Sequence, residues 1–593
     1  MTEEVLKKAQ KWSGVRFDEK TRREIRDLID KNDEKELTDR FYKELEFGTG
    51  GMRGVMGAGT NRMNTYTVGK ATQGLADYLN GNYTDAKDRG VSIACDSRNN
   101  SGFFSREAAG VLAGNGIKVF IYPELRPTPL LSFTVRHLGN SAGIVITASH
   151  NPKEYNGYKV YGPDGAQVTS PEDSKIVEYV ERVDIIEGVK KIDYKEGLRQ
   201  GLINELDGSV EKAYLARVGE FAGNIGEGIE RELSNVGRDI RVVYTPLHGA
   251  GITLVPEALK KIKGAVILCE KEQSVPDGNF PTIHSPNPEE TEALSMAIDF
   301  AKRENADMVI ATDPDCDRMG LAVPDEKGDF VPVNGNQIGC MLADLIARSY
   351  KNSGRMPENP VLVSTIVSTE LVSEIAGTYG VDIVNVLTGF KYIGEMMGEL
   401  EKQREKKFIF GFEESYGYLA DTFVRDKDGV IASLLALILL KYAISEHGGV
   451  LEFLYSIFRK YGMYFEYQKS FALKGAAGAE KIKALMEDLR ADPPREISGS
   501  QVTVIKDYLA RKVIKPAFGE QEELSGLPQS NVLQFYTADD VKVSVRPSGT
   551  EPKIKFYFGL RVPVSGSISE TRALLDEKAA KVSNDVFKRC GLT

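Results

Sequence analysis

Four loops in this 593-residue chain carry side chains able to do chemistry, each at or near the end of an apolar run. In residues 147–159, TASHNPKEYNGYK, Ser149 and His150 follow the apolar run 144–147, and Asn151-Pro152 forces a turn. A serine so placed is expected to be exposed and, once activated, to act as a nucleophile or phosphoryl carrier. An isolated Ser-His pair is more often an ordinary helix cap. In residues 313–318, DPDCDR, Asp313, Asp315 and Asp317 are spaced at i, i+2 and i+4, which in an extended segment points all three the same way. Three adjacent carboxylates repel one another, and a bound cation relieves this. An all-oxygen donor set favours Mg²⁺, and the lone Cys316 does not suggest zinc. An EF-hand is excluded because no Gly follows the third Asp and position twelve is Pro324.

The third loop, residues 411–418 (GFEESYGY), has Thr388, Gly389, Phe390 and Lys391 upstream. Glu413 and Ser415 offer the acceptor and donor that vicinal sugar hydroxyls need, although a glutamate pair after a strand is as often a helix start. The fourth, residues 546–555 (RPSGTEPKIK), holds three basic residues against one acidic. Arg546, Ser548, Gly549 and Thr550 supply a guanidinium fork, two hydroxyls and a flexible backbone, a set suited to cradling phosphate. Two other patterns carry less. Residues 139–143, GNSAG, fit the nucleophile-elbow spelling, but a helix-like stretch precedes Ser141 and a strand follows, the reverse of what the elbow needs. There is no Walker A sequence and no strictly spaced G-x-G-x-x-G, so nucleotide use is unsupported.

The elements that must hold these loops are short apolar runs ending in polar turns. They fall at 91–94, 119–122 and 144–147, at 241–244 and 308–311, and at 361–363, 383–386 and 408–410, with helical patterns between them. This alternation predicts three similar α/β units with parallel strands, and ligands in such sheets sit at the carboxyl ends of the strands. After about residue 460 short strands at 502–506, 531–536, 542–546 and 553–558 precede an amphipathic stretch at 569–588, which predicts a smaller α+β domain. The expected division is an N-terminal helical arm (1–45, with Trp12 and Phe17 on a helical face), then domains over 46–207, 208–327, 328–458 and 459–593. Residues 47–59, FGTGGMRGVMGAG, have six glycines in thirteen positions, as expected of a backbone that turns sharply or approaches a ligand.

Bulk properties narrow the class. The chain has 41% hydrophobic and 27% charged residues, near the globular norm. Its formal charge of −10 argues against a general nucleic-acid coat. Five scattered cysteines without a CxxC fit a reducing compartment. The charged N-terminus lacks the apolar core of a secretory signal, and the longest apolar run, 431–440, is too short for a bilayer and reads as a buried helix. A soluble, cytoplasmic, multidomain α/β protein with no membrane partner is expected; nothing in the sequence sets its oligomeric state.

Taken together, TASHNP, DPDCDR, GFEES and RPSGTEP, in this order, closely resemble the signature loops of the α-D-phosphohexomutase family, one per domain, over about residue 40 to the C-terminus. The N-terminal arm and FGTGGMRGVMGAGTNRMN resemble its long subgroup, which includes bacterial phosphoglucomutases, phosphopentomutase and glucose-1,6-bisphosphate synthase. The resemblance implies three mixed α/β domains and a smaller C-terminal one around a central cleft. It implies that Ser149 is phosphorylated, that Asp313, Asp315 and Asp317 hold Mg²⁺ with a phosphoserine oxygen as a further ligand, and that Arg318 sits beside the transferring group. Glu413 and Ser415, with Thr388 and Gly389, would read sugar hydroxyls, and Arg546, Ser548, Gly549 and Thr550 would clamp the distal phosphate. Arg53, His150, Lys159 and Lys427 match basic cleft positions, with Lys159 or Lys427 as general acid or base. The implied reaction interconverts glucose 1-phosphate and glucose 6-phosphate through glucose 1,6-bisphosphate. The acidic pair Glu413-Glu414 and Phe412 lean towards glucose, with phosphomannomutase and phosphopentomutase as alternatives. A metal-dependent phosphohydrolase would share Ser149 and the aspartates but would not need a separate sugar loop and phosphate clamp; a silent sugar-phosphate sensor would need neither Ser149 nor the aspartates.

Overall fold

The apolar runs form the strands of four sheets, in a computed structural model that describes residues 1–48, 50–230, 237–473, 475–548 and 553–592. The first sheet contains β1 (Gly51–Val55), β2 (Val91–Cys95), β3 (Val119–Ile121), β4 (Ala142–Ile146), β5 (Tyr155–Tyr161) and β6 (Ile203–Glu205), in the order β1-β5-β4-β2-β3-β6. The second contains β7 (Ile240–Thr245), β8 (Ala265–Cys269), β9 (Met308–Thr312), β10 (Met319–Pro324) and β11 (Phe330–Val333), in the order β11-β10-β9-β7-β8. The third contains β12 (Pro360–Thr365), β13 (Asp382–Val386), β14 (Lys407–Glu413) and β15 (Gly417–Ala420), in the order β13-β12-β14-β15.

One four-strand pattern recurs in all three. In β3-β2-β4-β5, β8-β7-β9-β10 and β13-β12-β14-β15 the first three strands are parallel and the fourth is antiparallel. The sheets are therefore mixed, and the parallel reading needs that one amendment. The reason is connection length. Parallel neighbours need a long crossover, whereas an antiparallel strand can return through a tight turn. The three returns, β4 to β5, β9 to β10 and β14 to β15, are the chemistry-bearing loops around Ser149, Asp315 and Glu414. Each turn holds a non-glycine residue in the left-handed region: Ser149 (φ 51°), Cys316 (φ 55°) and Tyr416 (φ 64°). Strands β2, β4, β9 and β12 are buried at every residue. Burial on both faces is why they read as continuous apolar runs rather than alternating ones.

The fourth sheet is antiparallel. It comprises β16 (Met463–Ala472), β17 (Glu496–Ile497), β18 (Ser500–Asp507), β19 (Lys512–Lys515), β20 (Glu520–Glu523), β21 (Leu533–Thr537), β22 (Val541–Pro547) and β23 (Lys553–Val562). Its order is β16-β23-β22-β21-β18-β19-β20, with β17 on β18. The helix Ile568–Arg589 closes one face, with Phe587 edge-on to Phe556 and Phe558. Its other face meets the third sheet through Ile366, Val367, Leu387, Tyr508, Val532 and Tyr557.

The N-terminal arm is three helices, Glu3–Trp12, Glu19–Asp30 and Glu34–Phe41, capped by Thr2, Asp18 and Asp33. Trp12 ends the first helix, while Phe17 lies in the following turn rather than on a helical face; the turn brings the rings into a stack at 4.5 Å. The glycine-rich segment is not all loop either, because β1 runs through it and pairs with β5. Gly51 allows this approach: a Cβ there would lie 2.2 Å from the Tyr158 carbonyl oxygen. The apolar run at 431–440 is part of a longer helix, Gly429–His447, whose 19 residues and mean hydropathy of 1.7 would suffice to span a bilayer. In the fold it is a core helix, with 78% of that stretch buried.

Candidate active site

Ser149 sits three residues beyond β4, and its loop is held from beneath by a buried pair that sequence reasoning passed over. Asp96, just after β2, accepts hydrogen bonds from the Thr147 hydroxyl at 2.6 Å, the Ser101 hydroxyl at 2.7 Å and the Arg98 amide at 2.9 Å. Thr147 Oγ1 in turn accepts the Ser149 amide at 2.8 Å. The Arg98 guanidinium donates to the carbonyls of Ser149, Asn151, Pro152 and Tyr155. Four carbonyls converging on one buried cation explain how a non-glycine residue is kept at positive φ, a conformation costing of order 1–3 kcal/mol. The signal was available: an Asp-x-Arg directly after an apolar strand.

Ser149 is only 5% exposed, which corrects the expectation of an exposed serine. The β9–β10 turn covers it. Ser149 Oγ donates to Asp313 Oδ2 at 2.6 Å and lies 3.2 Å from His150 Nδ1. The hydroxyl has one proton to give, so with Asp313 as acceptor the Nδ1–H tautomer of His150 satisfies the second contact. Burial, then the Arg318 and Arg53 charges, push the His150 pKa well below its ordinary value, so the ring is neutral at pH 7.

The three aspartates converge, but not by strand alternation. Residues 313–318 form a turn in which Asp313 Oδ1 accepts the amides of Asp317 at 3.1 Å and Arg318 at 3.0 Å. Their carboxylate oxygens come within 4.8 Å of one another. All three residues are buried. Lys159 reaches Asp315 Oδ2 at 3.0 Å and Asp317 Oδ2 at 3.3 Å, and Lys427 reaches Asp317 Oδ2 at 3.2 Å. Asp315 Oδ1 and Asp317 Oδ1 are buried without a hydrogen-bond partner. Orphaned, buried carboxylate oxygens beside a serine hydroxyl fit an all-oxygen cation site, so this triad could hold a metal ion.

Electrostatics within the triad are unequal. Burial and the neighbouring Asp317 and Asp315 charges raise Asp313 well above the carboxylate range. Burial also opposes ionisation of Asp317, but Lys427, Lys159 and Arg318 outweigh it and hold that acid below the range. Burial works against the charge on Lys159 and Lys427 as well; Asp315 and Asp317 beside the first, and Asp317, Asp426 and Glu413 beside the second, hold both raised and cationic. Arg318 donates to Glu289 at 2.5 Å, a second partner missed in the sequence.

The third and fourth sheets supply the rest of the cleft. Glu413 ends β14 and is buried; burial raises its pKa, with Lys427 opposing. Ser415 is half-buried in the turn that follows. Phe412 is wholly buried and stacks on Phe410, so it belongs to the core. Glu414 turns away from Glu413 and accepts from the Thr365 hydroxyl at 3.0 Å and the Ser368 hydroxyl at 3.3 Å. Thr388 Oγ1 is buried without a partner, and Gly389 (φ 122°) precedes the helix Phe390–Gln403. Arg53 is exposed on β1 and donates to Asn151 Oδ1 at 3.1 Å. Arg546 lies opposite Lys555 on the β22–β23 hairpin, and Ser548 follows β22. Gly549 and Thr550 lie outside the described residues. Ser141 is a buried residue just before β4, between a helix and a strand, and is no elbow nucleophile.

Known proteins are similar to this chain. Three segments match the phosphoglucomutase/phosphomannomutase alpha/beta/alpha domains: domain I over residues 44–186, domain II over 220–328 and domain III over 334–461. A phosphoglucomutase of Staphylococcus saprophyticus is 36% identical over 541 residues, covering 91% of this chain and 94% of that protein. One of Staphylococcus haemolyticus is 37% identical over 539 residues, covering 89% and 93%. Among solved structures, the open form of pp63/parafusin from Paramecium has a TM-score of 0.66 at 17% identity, covering 92% of this chain and 95% of that one. A Burkholderia thailandensis phosphoglucomutase/phosphomannomutase family protein has a TM-score of 0.60 at 17% identity, covering 92% and 96%. At such identities the structures speak for the fold alone, while the family domains and relatives matched along most of the sequence settle descent: this chain belongs to the phosphoglucomutase/phosphomannomutase family.

Proposed function

We propose that this chain is a phosphoglucomutase that interconverts α-D-glucose 1-phosphate and glucose 6-phosphate, with Ser149 as phosphoryl carrier and glucose 1,6-bisphosphate as intermediate and activator. The observation that carries the reading is the contact of Ser149 Oγ with Asp313 at 2.6 Å inside a buried acidic triad flanked by Lys159 and Lys427. The choice of glucose follows the relatives named phosphoglucomutase.

Phosphorylated Ser149 gives its phosphoryl group to the free hydroxyl of the bound sugar phosphate. The bisphosphate turns over in the cleft, and its other phosphate returns to Ser149. Asp313, Asp315 and Asp317 would hold Mg²⁺, which, when bound, neutralises charge on the phosphoryl oxygens. Arg318, braced by Glu289, lies beside the same group. Lys159 or Lys427, both cationic at the start, gives its proton to the departing oxygen and then, as the neutral amine, takes up the proton that the attacking hydroxyl loses. His150 is neutral and orients the serine. Glu413 and Ser415 read hydroxyls in either orientation of the sugar, and Arg546 and Ser548 hold the phosphate that is not reacting, with Gly549 and Thr550. Excluding water from so buried a serine protects the phosphoserine from hydrolysis.

A panel of glucose, mannose, glucosamine and ribose 1-phosphates, with and without glucose 1,6-bisphosphate, tests the reading. Glucose 1-phosphate should be the best substrate and the bisphosphate should activate. Faster turnover of another sugar would change the substrate assignment; release of inorganic phosphate at the rate of sugar-phosphate consumption would replace a mutase by a hydrolase.

A further inference from the structure

Two buried side chains of the fourth sheet grip the same short loop of the third, and that loop holds the acid next to the sugar-reading glutamate. Gln534 on β21 is wholly buried and uses its full hydrogen-bonding capacity. Its Oε1 accepts from Tyr508 at 2.7 Å and Tyr536 at 3.1 Å; its Nε2 donates to Ser544 Oγ at 2.9 Å and, across the interface, to the Ile366 carbonyl at 2.6 Å. Lys542 on β22 pairs with Glu370 at 2.6 Å and donates to the Ser368 carbonyl at 3.3 Å.

The gripped loop, residues 365–370, follows β12. Ser368 faces both ways: its carbonyl accepts from Lys542 and its hydroxyl donates to Glu414, alongside that of Thr365. Behind the loop, Asn336 accepts the Thr369 amide at 3.1 Å. Gly335 lies so close to the sugar loop that a Cβ there would come within 2.2 Å of the Glu414 carbonyl oxygen. Beside the apolar contact between the two sheets lies a cavity of about 240 Å³ between Glu370, Glu466, Lys542 and Arg561. Lifting the fourth sheet would strand the second Gln534 N–H and free the Ser368 carbonyl, so that the loop whose Ser368 and Thr365 hydroxyls hold Glu414 loses its outer anchors.

We propose that Gln534 and Lys542 are positioning residues that couple docking of the phosphate-holding lobe to the setting of residues 413–415, so that the sugar is read in its proper register only when the lobe is docked. This rests on the sugar loop and phosphate lobe having the roles proposed above. The coupling runs through Ser368 and Thr365 to Glu414. A buried amide with four partners is a specifying contact: it is satisfied in one docked position and unsatisfied in others.

The test compares Gln534→Leu and Lys542→Met with wild type, with Val543→Ala as a control that weakens the core of the same lobe from its opposite face. Amide hydrogen exchange of residues 411–418 in the ligand-free chain should be roughly fivefold faster in the first two variants, the effect of one hydrogen bond, and unchanged in the control. Selectivity, as kcat/KM for glucose 1-phosphate over mannose 1-phosphate, should fall by a similar factor, Lys542→Arg should retain it, and Ser368→Ala should add little to Gln534→Leu. Unchanged exchange in 411–418, or acceleration equal to the control, would overturn the coupling. Wild-type chain without mutase activity would overturn the proposed function instead, while the exchange measurement would still decide the coupling.

Discussion

Around Ser149 the charges are buried and matched: Asp313, Asp315 and Asp317 face Lys159, Lys427 and Arg318, and the serine loop hangs from Arg98 by four carbonyls. Ser415, Arg546 and Ser548 are half-buried, Ser415 and Ser548 just beyond strand ends and Arg546 near the end of β22. Under the proposed function the contrast follows from what each end must do. Phosphoryl transfer gains most from fixed charges in a dry site, which cost no reorganisation at the moment of reaction. Recognition has to accept one sugar in two orientations, so its groups must reach nearly equivalent hydroxyls and let go between half-reactions.

The largest effect should come from the rigid end. Ser149→Ala should lower mutase turnover by about 10³-fold or more with the fold unchanged by circular dichroism, because the hydroxyl that reaches Asp313 is lost and the one on Asp315, that of Thr128, is fully buried. Retained turnover would break the contrast at its root. Next, chelation should cost roughly 10²-fold in rate. Mg²⁺ at a hundredfold excess over its Kd should stabilise the wild type by about 2.7 kcal/mol in thermal unfolding, and Asp315→Asn should lose that gain. If Asp315→Asn is stabilised equally by Mg²⁺, the buried orphan oxygens are not the ligands. At the recognition end Arg546→Ala should raise KM by roughly tenfold and change kcat less, the signature of binding shared by ground and transition states. A loss mainly in kcat would move Arg546 into the reacting end.

The same contrast decides what the sequence made legible. Strands buried on both faces, such as β4 and β9, appear as apolar runs, and the loops after them are the ones expected to carry the chemistry. The returning strands were not read: β5 and β15 begin inside the motifs themselves, and β10 starts at the residue after DPDCDR. The convergence of the aspartates was expected from an extended segment and is produced by a turn, with Asp313 capping two amides. Ser149 was expected exposed, since its cover comes from a loop 164 residues away. Glu289 and Asp426 act through the side chains of Arg318 and Lys427, so only the folded arrangement reveals them, whereas Arg98 acts through four backbone carbonyls and left a trace in the sequence. Phe412 is core, and Glu414 faces Thr365 and Ser368, so the acidic pair is not two sugar ligands side by side.

The smallest expected effect lies between the third and fourth sheets. Glu466 on β16 is pushed up to about 7, chiefly by burial, with the Thr369 hydrogen bond and the Lys542 charge opposing. Its ordinary value is 4.5, so the folded state holds the proton more tightly than the unfolded state does. The sign follows from linkage: the contribution to stability is present below pH 4.5 and is lost as pH rises through about 7. Glu466→Gln, which has no proton to lose, should match the wild type in thermal midpoint near pH 4.5 and exceed it at pH 8. An equal shift at both pH values would mean the glutamate acts by packing alone. Asp317, near Ser149, is shifted in the opposite sense, because three cations hold it ionised. An acid that weakens the lobe contact at neutral pH fits the end of the molecule that has to open.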